Sequence, residues 1–300
     1  MAVRSTAPAF AEGECDAACQ AARNDRDPLA PVTANLTDNT IGFGPRDENE
    51  TRDHQLQGAH SLEHEPGNLI PCGVLPFLGR PDDPEAEQDR GLGDTILQAF
   101  RVPDAAPGSF KIGFGPQVSL KTREDAFGGP GTGAGAAAVG FGFAGDLSHD
   151  GILGHLRGED GFSATTIQPI VFCDMPDFLG GSYIGYNNPL ACNWNADTGD
   201  EPWLAPIGLA PGETWPLGDG VAFDAGIGGY ALAVAADRAN LSQSNLSFNC
   251  VFPKARTRAP AISGGFSVTG ARTTRTSVAA EGGPPAGAVA FPVPTGRVQG

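Results

Sequence analysis

Residues 110–121 of the chain, Phe-Lys-Ile-Gly-Phe-Gly-Pro-Gln-Val-Ser-Leu-Lys, alternate strictly between two faces. Phe110, Ile112, Phe114, Val118 and Leu120 share one face, and Lys111, Gly113, Gly115, Gln117, Ser119 and Lys121 share the other. A period of two belongs to a β-strand, and a run from 110 to 121 at about 3.3 Å per residue is close to 40 Å long. A strand tilted by about 45° crosses a bilayer in about 9–11 residues. The second face is what constrains the fold. It is small or polar, whereas a soluble sandwich turns long charged side chains to water. Gly, Ser and Gln suit a narrow barrel lumen, where bulk is limited.

The pattern recurs. Val139, Phe141 and Phe143 alternate with Gly140, Gly142 and Ala144, and we expect the large residues to face outward. Val221, Phe223, Ala225 and Ile227 alternate with Ala222, Asp224, Gly226 and Gly228. Leu246, Phe248, Cys250 and Phe252 alternate with Ser247, Asn249 and Val251. In all, strand-like runs fall near 39–44, 54–62, 69–79, 94–102, 110–121, 134–145, 151–158, 164–174, 181–190, 203–211, 221–234 and 244–252. About twelve strands, an even number, fit an all-β, antiparallel, up-and-down transmembrane barrel with both termini on one side. The competing architecture is a soluble, secreted β-sandwich with a binding or structural role.

Gly and Pro fill 69 of the 300 positions (43 and 26), which leaves no room for a helical bundle. No window of 18 consecutive apolar residues exists, so a transmembrane helix is not expected. A net charge of −16 argues against a nucleic-acid partner, because phosphate binding needs clustered Lys and Arg. Three regions differ in composition. Residues 1–27 read as an N-terminal tether, with Ala9-Phe10-Ala11 as the remnant of a signal-peptide cleavage site. Residues 28–254 read as the barrel, and residues 255–300, rich in Gly, Ala, Pro, Thr and Arg, as a disordered tail.

Motifs for chemistry are weak. His60-Ser-Leu-Glu63-His64 matches an inverted zinc-peptidase pattern, but that chemistry needs a helix, and Gly58 with Pro66-Gly67 makes this the end of a hairpin. Gly140 to Gly145 matches a nucleotide-binding glycine pattern, yet Asp146 to Gly151 reads as a turn and not as the start of a helix. Cys15 and Cys19 lack further metal ligands nearby, and Cys173, Cys192 and Cys250 read as small apolar strand residues. No catalytic residue, cofactor or metal site is assigned, and the chain is not read as an enzyme. The candidate lumen residues are Gln117, Gln168 and Asp224. Asp197 and Asp200, in the turn-forming stretch after Asn193 and Asn195, are candidates for a loop cation site. Tyr183, Tyr186, Trp194, Trp203 and Trp215 are candidates for an interfacial aromatic belt.

Several segments, in order, carry a likeness. They are Thr37-Asp-Asn-Thr-Ile-Gly-Phe-Gly44, Ile70-Pro71 with Leu75-Pro-Phe-Leu-Gly79, Gly91-Leu-Gly-Asp-Thr95, Phe114-Gly-Pro-Gln-Val-Ser-Leu120, Thr166-Ile-Gln-Pro169, Asn193-Trp-Asn-Ala-Asp-Thr-Gly-Asp-Glu-Pro-Trp203 and Val251-Phe-Pro-Lys254. Across residues 28–254 the chain resembles a bacterial family of outer-membrane β-barrel transporters associated with the meta-cleavage pathway of phenol degradation. The resemblance implies a barrel in an outer membrane that passes or binds small, aromatic or hydrophobic molecules. Its partners would be outer-membrane lipid and small-molecule solutes. The family ends near its Phe-Pro-Lys, whereas here residues 255–300 follow.

Overall fold

A computed structural model describes residues 26–44, 50–63, 66–80, 89–104, 110–175, 178, 181–196, 201–235 and 240–253. The strands are β1 (Val32–Phe43), β2 (Glu50–His60, continued by Leu62–Glu63), β3 (Asn68–Arg80), β4 (Asp89–Leu92 and Thr95–Val102), β5 (Lys111–Leu120) and β6 (Gly133–Ala144). They continue as β7 (Leu147–Arg157), β8 (Ser163–Asp174), β9 (Ser182–Asn187 and Leu190–Asn193), β10 (Trp203–Gly218), β11 (Val221–Val234) and β12 (Ser242–Pro253). Each strand pairs antiparallel with its sequence neighbours. β1 also pairs with β12, from Val32 opposite Pro253 to Phe43 opposite Ser242, and this closes a 12-stranded barrel. Closure leaves no open sheet edge and rules out the sandwich.

Tight turns sit at the end of the barrel that holds Val32 and Pro253, called here the terminal end. Asp219 and Gly220 both have positive φ (50° and 77°), as a two-residue hairpin turn of primed type requires. Gly145, at φ 66°, turns β6 into β7 with Asp146. β7 therefore starts at Leu147, ahead of the expected 151, because β8 offers a pairing partner as far as Cys173 opposite Leu147. β1 likewise begins at Val32, not near 39, and β10 runs on to Gly218, well past 211.

The faces follow the alternation on β5, β11 and β12. Ile112, Phe114, Ile227 and Phe248 are exposed on the outside, while Gln117, Ser119, Ala222 and Asp224 are buried inside. β6 reverses the expectation. Its Val139 and Phe141 are buried inside the barrel, and its outward positions are Ala and Gly. The outward space is already taken: a Cβ on Gly140 would meet the Phe110 ring at 2.7 Å. The inward space has apolar company in Ile70, Phe100, Val102, Ile152 and Ile170.

Candidate functional site: the lumen of the barrel

The lumen is filled in part by the chain's own residues just before β1. Asp27 accepts from the backbone N–H of Leu29 (2.9 Å), and the backbone N–H of Ala30 donates to Asp27 O (3.0 Å), which bends residues 26–31 into a compact strap. Leu29 is buried against the apolar inward residues of β3, β4, β6, β7 and β8. Arg26 and Asp27, assigned from sequence to a tether, are thus buried inside the barrel. A charged, aperiodic segment gives no local sign of this, because the partners that hold it come from distant strands.

Arg26 is the centre of that hold. Its Nη2 donates to Asp174 Oδ1 (3.1 Å), its Nη1 to Thr214 Oγ1 (3.1 Å), and Nη1 lies 3.6 Å from Asp224 Oδ2. The guanidinium also stands over the Tyr183 ring at 3.9 Å and the Phe172 ring at 5.0 Å. Asp224 additionally accepts from Tyr183 Oη (3.1 Å), Thr214 Oγ1 (2.9 Å) and Asn249 Nδ2 (3.1 Å). A carboxylate this buried persists only with such partners. The second strap charge, Asp27, pairs with Lys111 on the inward face of β5.

The other candidate lumen residues also face inward. Gln117 Oε1 accepts from Gln98 Nε2 (3.0 Å), linking β5 to β4, and Gln168 Nε2 donates to Asn187 Oδ1 (2.7 Å), linking β8 to β9. Sequence reasoning missed further inward carboxylates. Asp38 accepts from Asn245 Nδ2 (2.7 Å) and Thr40 Oγ1 (2.9 Å), both neutral donors. Asp53 pairs with Arg80 toward the end opposite the strap. Asp150, expected in a turn, lies on β7 with both carboxylate oxygens closed off from solvent and without a hydrogen-bond partner.

At the end opposite the strap, residues 121–132 fold back on the barrel. Asp94, almost wholly buried, accepts from Arg123 Nη1 (2.6 Å) and the Gly131 N–H (2.7 Å). Glu159 accepts from Lys121 Nζ (2.8 Å) and the Thr132 N–H (3.1 Å), and these bonds hold its carboxyl well below the usual range, at about 2.

The aromatic candidates divide. Tyr183 does not face outward. It is buried, with its hydroxyl on Asp224 and its face under Arg26, because the strap's cation and the β11 carboxylate offer both its ring and its hydroxyl a partner. Tyr186 is half-buried and donates its hydroxyl to Pro206 O (2.7 Å). Trp194 is exposed and donates to Thr165 Oγ1 (2.8 Å), and Trp203 opens β10 at the same end. Trp215 stacks on Phe223 near the strap end. Asp197 and Asp200 lie outside the described residues, as do His64 and the cysteines at 15 and 19. Among the described residues, no three His, Cys, Asp or Glu side chains are grouped to hold a metal ion, and Cys72, Cys173, Cys192 and Cys250 are free thiols.

No protein-family model matches the chain, and no curated protein matches it. Among solved structures, it is similar to an outer membrane channel from Pseudomonas putida F1. The identity is 14%, the TM-score 0.54, and the match covers 76% of this chain and 97% of that one. This likeness concerns the fold, a 12-stranded antiparallel barrel of outer-membrane type. A match to the β domain of the Bordetella autotransporter BrkA is looser, with 14% identity, a TM-score of 0.44, and coverage of 73% and 98%.

Proposed function

We propose that the chain is an outer-membrane channel of narrow bore, through which small solutes pass or in which they bind, with a preference for cations. The observation that carries this is the polarity of the wall. Ile112, Phe114, Leu153, Ile207, Leu209 and Ile227 are each more than half exposed on the outside of a closed barrel, while Asp38, Asp150 and Asp224 point inward. Water-soluble monomers rarely show an apolar patch beyond a few hundred Å². An apolar exterior around a polar, acidic interior is the arrangement a bilayer selects. Trp194 and Trp203 at one end and Trp215 at the other suit the two membrane interfaces. Of the inward carboxylates, Asp38 has neutral donors and Asp150 has no hydrogen-bond partner, and inward carboxylates without a cation on them favour cations over anions.

The test is electrophoretic and electrical. The protein folded into detergent should run as a species that shifts on boiling in SDS. In planar bilayers with a KCl gradient, its reversal potential should carry the sign of cation selectivity. A monodisperse protein that is soluble without detergent and shows no shift on boiling would sink the membrane reading. Anion selectivity would sink the charge argument alone.

A second reading concerns the solute. In the strap half of the lumen Ile70, Phe100, Val102, Val139, Phe141 and Ile152 pack around Leu29, and an apolar or aromatic body would suit the place Leu29 takes there. This supports the aromatic or hydrophobic solutes implied by the family resemblance, phenols included. Displacement of an apolar fluorescent probe by phenol, lost on Phe141→Ala, would support it, and indifference to phenol would count against it.

A further inference from the structure

We propose that Asp150 and Ser148, at the strap end of the lumen, form a binding site for a protonated primary amine carrying an aromatic or apolar body. The inference rests on the channel reading and names the class of solute that this stretch of the lumen would hold.

Ser148 and Asp150 are successive inward positions of β7, about 6.6 Å apart at the usual strand rise. Ser148 is fully buried, and its Oγ has no hydrogen-bond partner. Both oxygens of Asp150 are also buried without one. Three acceptors are therefore unfilled on one face of one strand. Leaving a buried carboxylate uncompensated is among the costlier arrangements a protein can hold, so such a group either loses its charge or meets a cation.

The cation in the same cross-strand row, Lys111, does not fill that role. Lys111, Phe141, Asp150 and Ile170 lie opposite one another in a single cross-strand row. Lys111 Nζ reaches over Phe141, 5.7 Å from the ring centroid, but it is engaged by Asp27 of the strap.

The walls decide which cation fits. Phe141 and Ile170 stand directly across the strands from Asp150, and Phe143 and Phe172 directly across from Ser148. Cross-strand side chains of this kind approach to about 5 Å. A divalent metal ion needs six or more oxygen ligands, and rings do not supply them. An alkylammonium has three N–H donors for the three empty acceptors, and its cation is also attracted to ring faces. The apolar body attached to it would lie along Phe141 and Phe143, because the Arg26 guanidinium already covers the Phe172 ring.

The experiment uses the full chain folded in detergent micelles and titrated calorimetrically with benzylammonium, with benzyl alcohol as its neutral counterpart. Parallel bilayer recordings of KCl current check the channel. Benzylammonium should bind saturably, and at least tenfold more tightly than benzyl alcohol. Asp150→Asn should weaken it at least tenfold while keeping the heat-modifiable band. Ser148→Ala, which leaves the charge in place, should weaken it several-fold, and it provides the comparison if Asp150→Asn fails to fold. Equal binding of benzylammonium and benzyl alcohol, or wild-type affinity in both variants, would overturn the site. Binding that behaves as described without any channel current would refute the channel while leaving the site standing. Current without amine binding would do the reverse.

Discussion

Replacing Arg26 by Ala tests how the lumen is held shut at its strap end. The side chain is 1% exposed and lies within 3.6 Å of two carboxylates, Asp174 and Asp224. Removing one partner of a buried ion pair costs about 3–5 kcal/mol, because the other charge is left uncompensated. Asp224 would keep its bonds from Tyr183, Thr214 and Asn249, which holds the cost near the lower end, about 3 kcal/mol. At 1.36 kcal/mol per decade, that shifts the balance between docked and undocked strap by about a hundredfold. Leu29 is buried only while the strap is docked, so thermolysin cleavage before Leu29 in micelle-folded protein should report the undocked population. The cleavage rate should rise by about a hundredfold in Arg26→Ala and by less in Arg26→Lys, which keeps the charge but not the planar fork. The double variant R26A/D224N should be cleaved more slowly than R26A, since the orphaned charge is gone. A rate in R26A within threefold of wild type would refute the argument, as would a double variant whose effect is the sum of the two single ones.

Three further outcomes follow from the wall and the loops. Phe114→Lys puts a charge midway along the outward face of β5, so it should cost about 2–4 kcal/mol in urea titrations of vesicle-inserted protein. Gly115→Val should weaken the β4–β5 pairing by about 1–3 kcal/mol, read from the urea midpoint, because a Cβ at that position would run into the Ala99 carbonyl oxygen. Glu159 has its carboxyl lowered from 4.5 to about 2, so its tie to Lys121 and Thr132 is fully present above the unfolded value and is lost as pH falls through the folded one. Thr132 amide protection from hydrogen exchange should therefore survive at pH 3.5 in the wild type and be absent at that pH in Glu159→Ala, which has no acceptor for the Thr132 N–H.

How far the chain could be read unaided depended on whether the deciding neighbours were local. On β5 and β12 the alternation placed the faces correctly, because large apolar residues on one side and Gly, Ser, Asn or Gln on the other match what bilayer and lumen each accept. On β6 the same rule identified a strand but pointed it the wrong way. Period two says which residues share a face and nothing about which side that face occupies. The side is set by Phe110, which covers the outward glycines, and by Leu29, which packs with Val139 and Phe141 inside. Asp150 was hidden for a related reason. Asp146 to Gly151 has the composition of a turn, yet only Gly145 and Asp146 turn, because β8 supplies pairing partners for all that follows. Arg26 and Asp27 carry no periodic signal at all, and their burial depends on Asp174, Asp224 and Lys111, each on a different strand. The wall of a barrel is written in local alternation, whereas the contents of its lumen depend on which charges meet across it. The strap neutralises Lys111 and Asp224 with its own Asp27 and Arg26, and with Lys111 taken, Asp150 is, among the described residues, an inward carboxylate with no partner of its own.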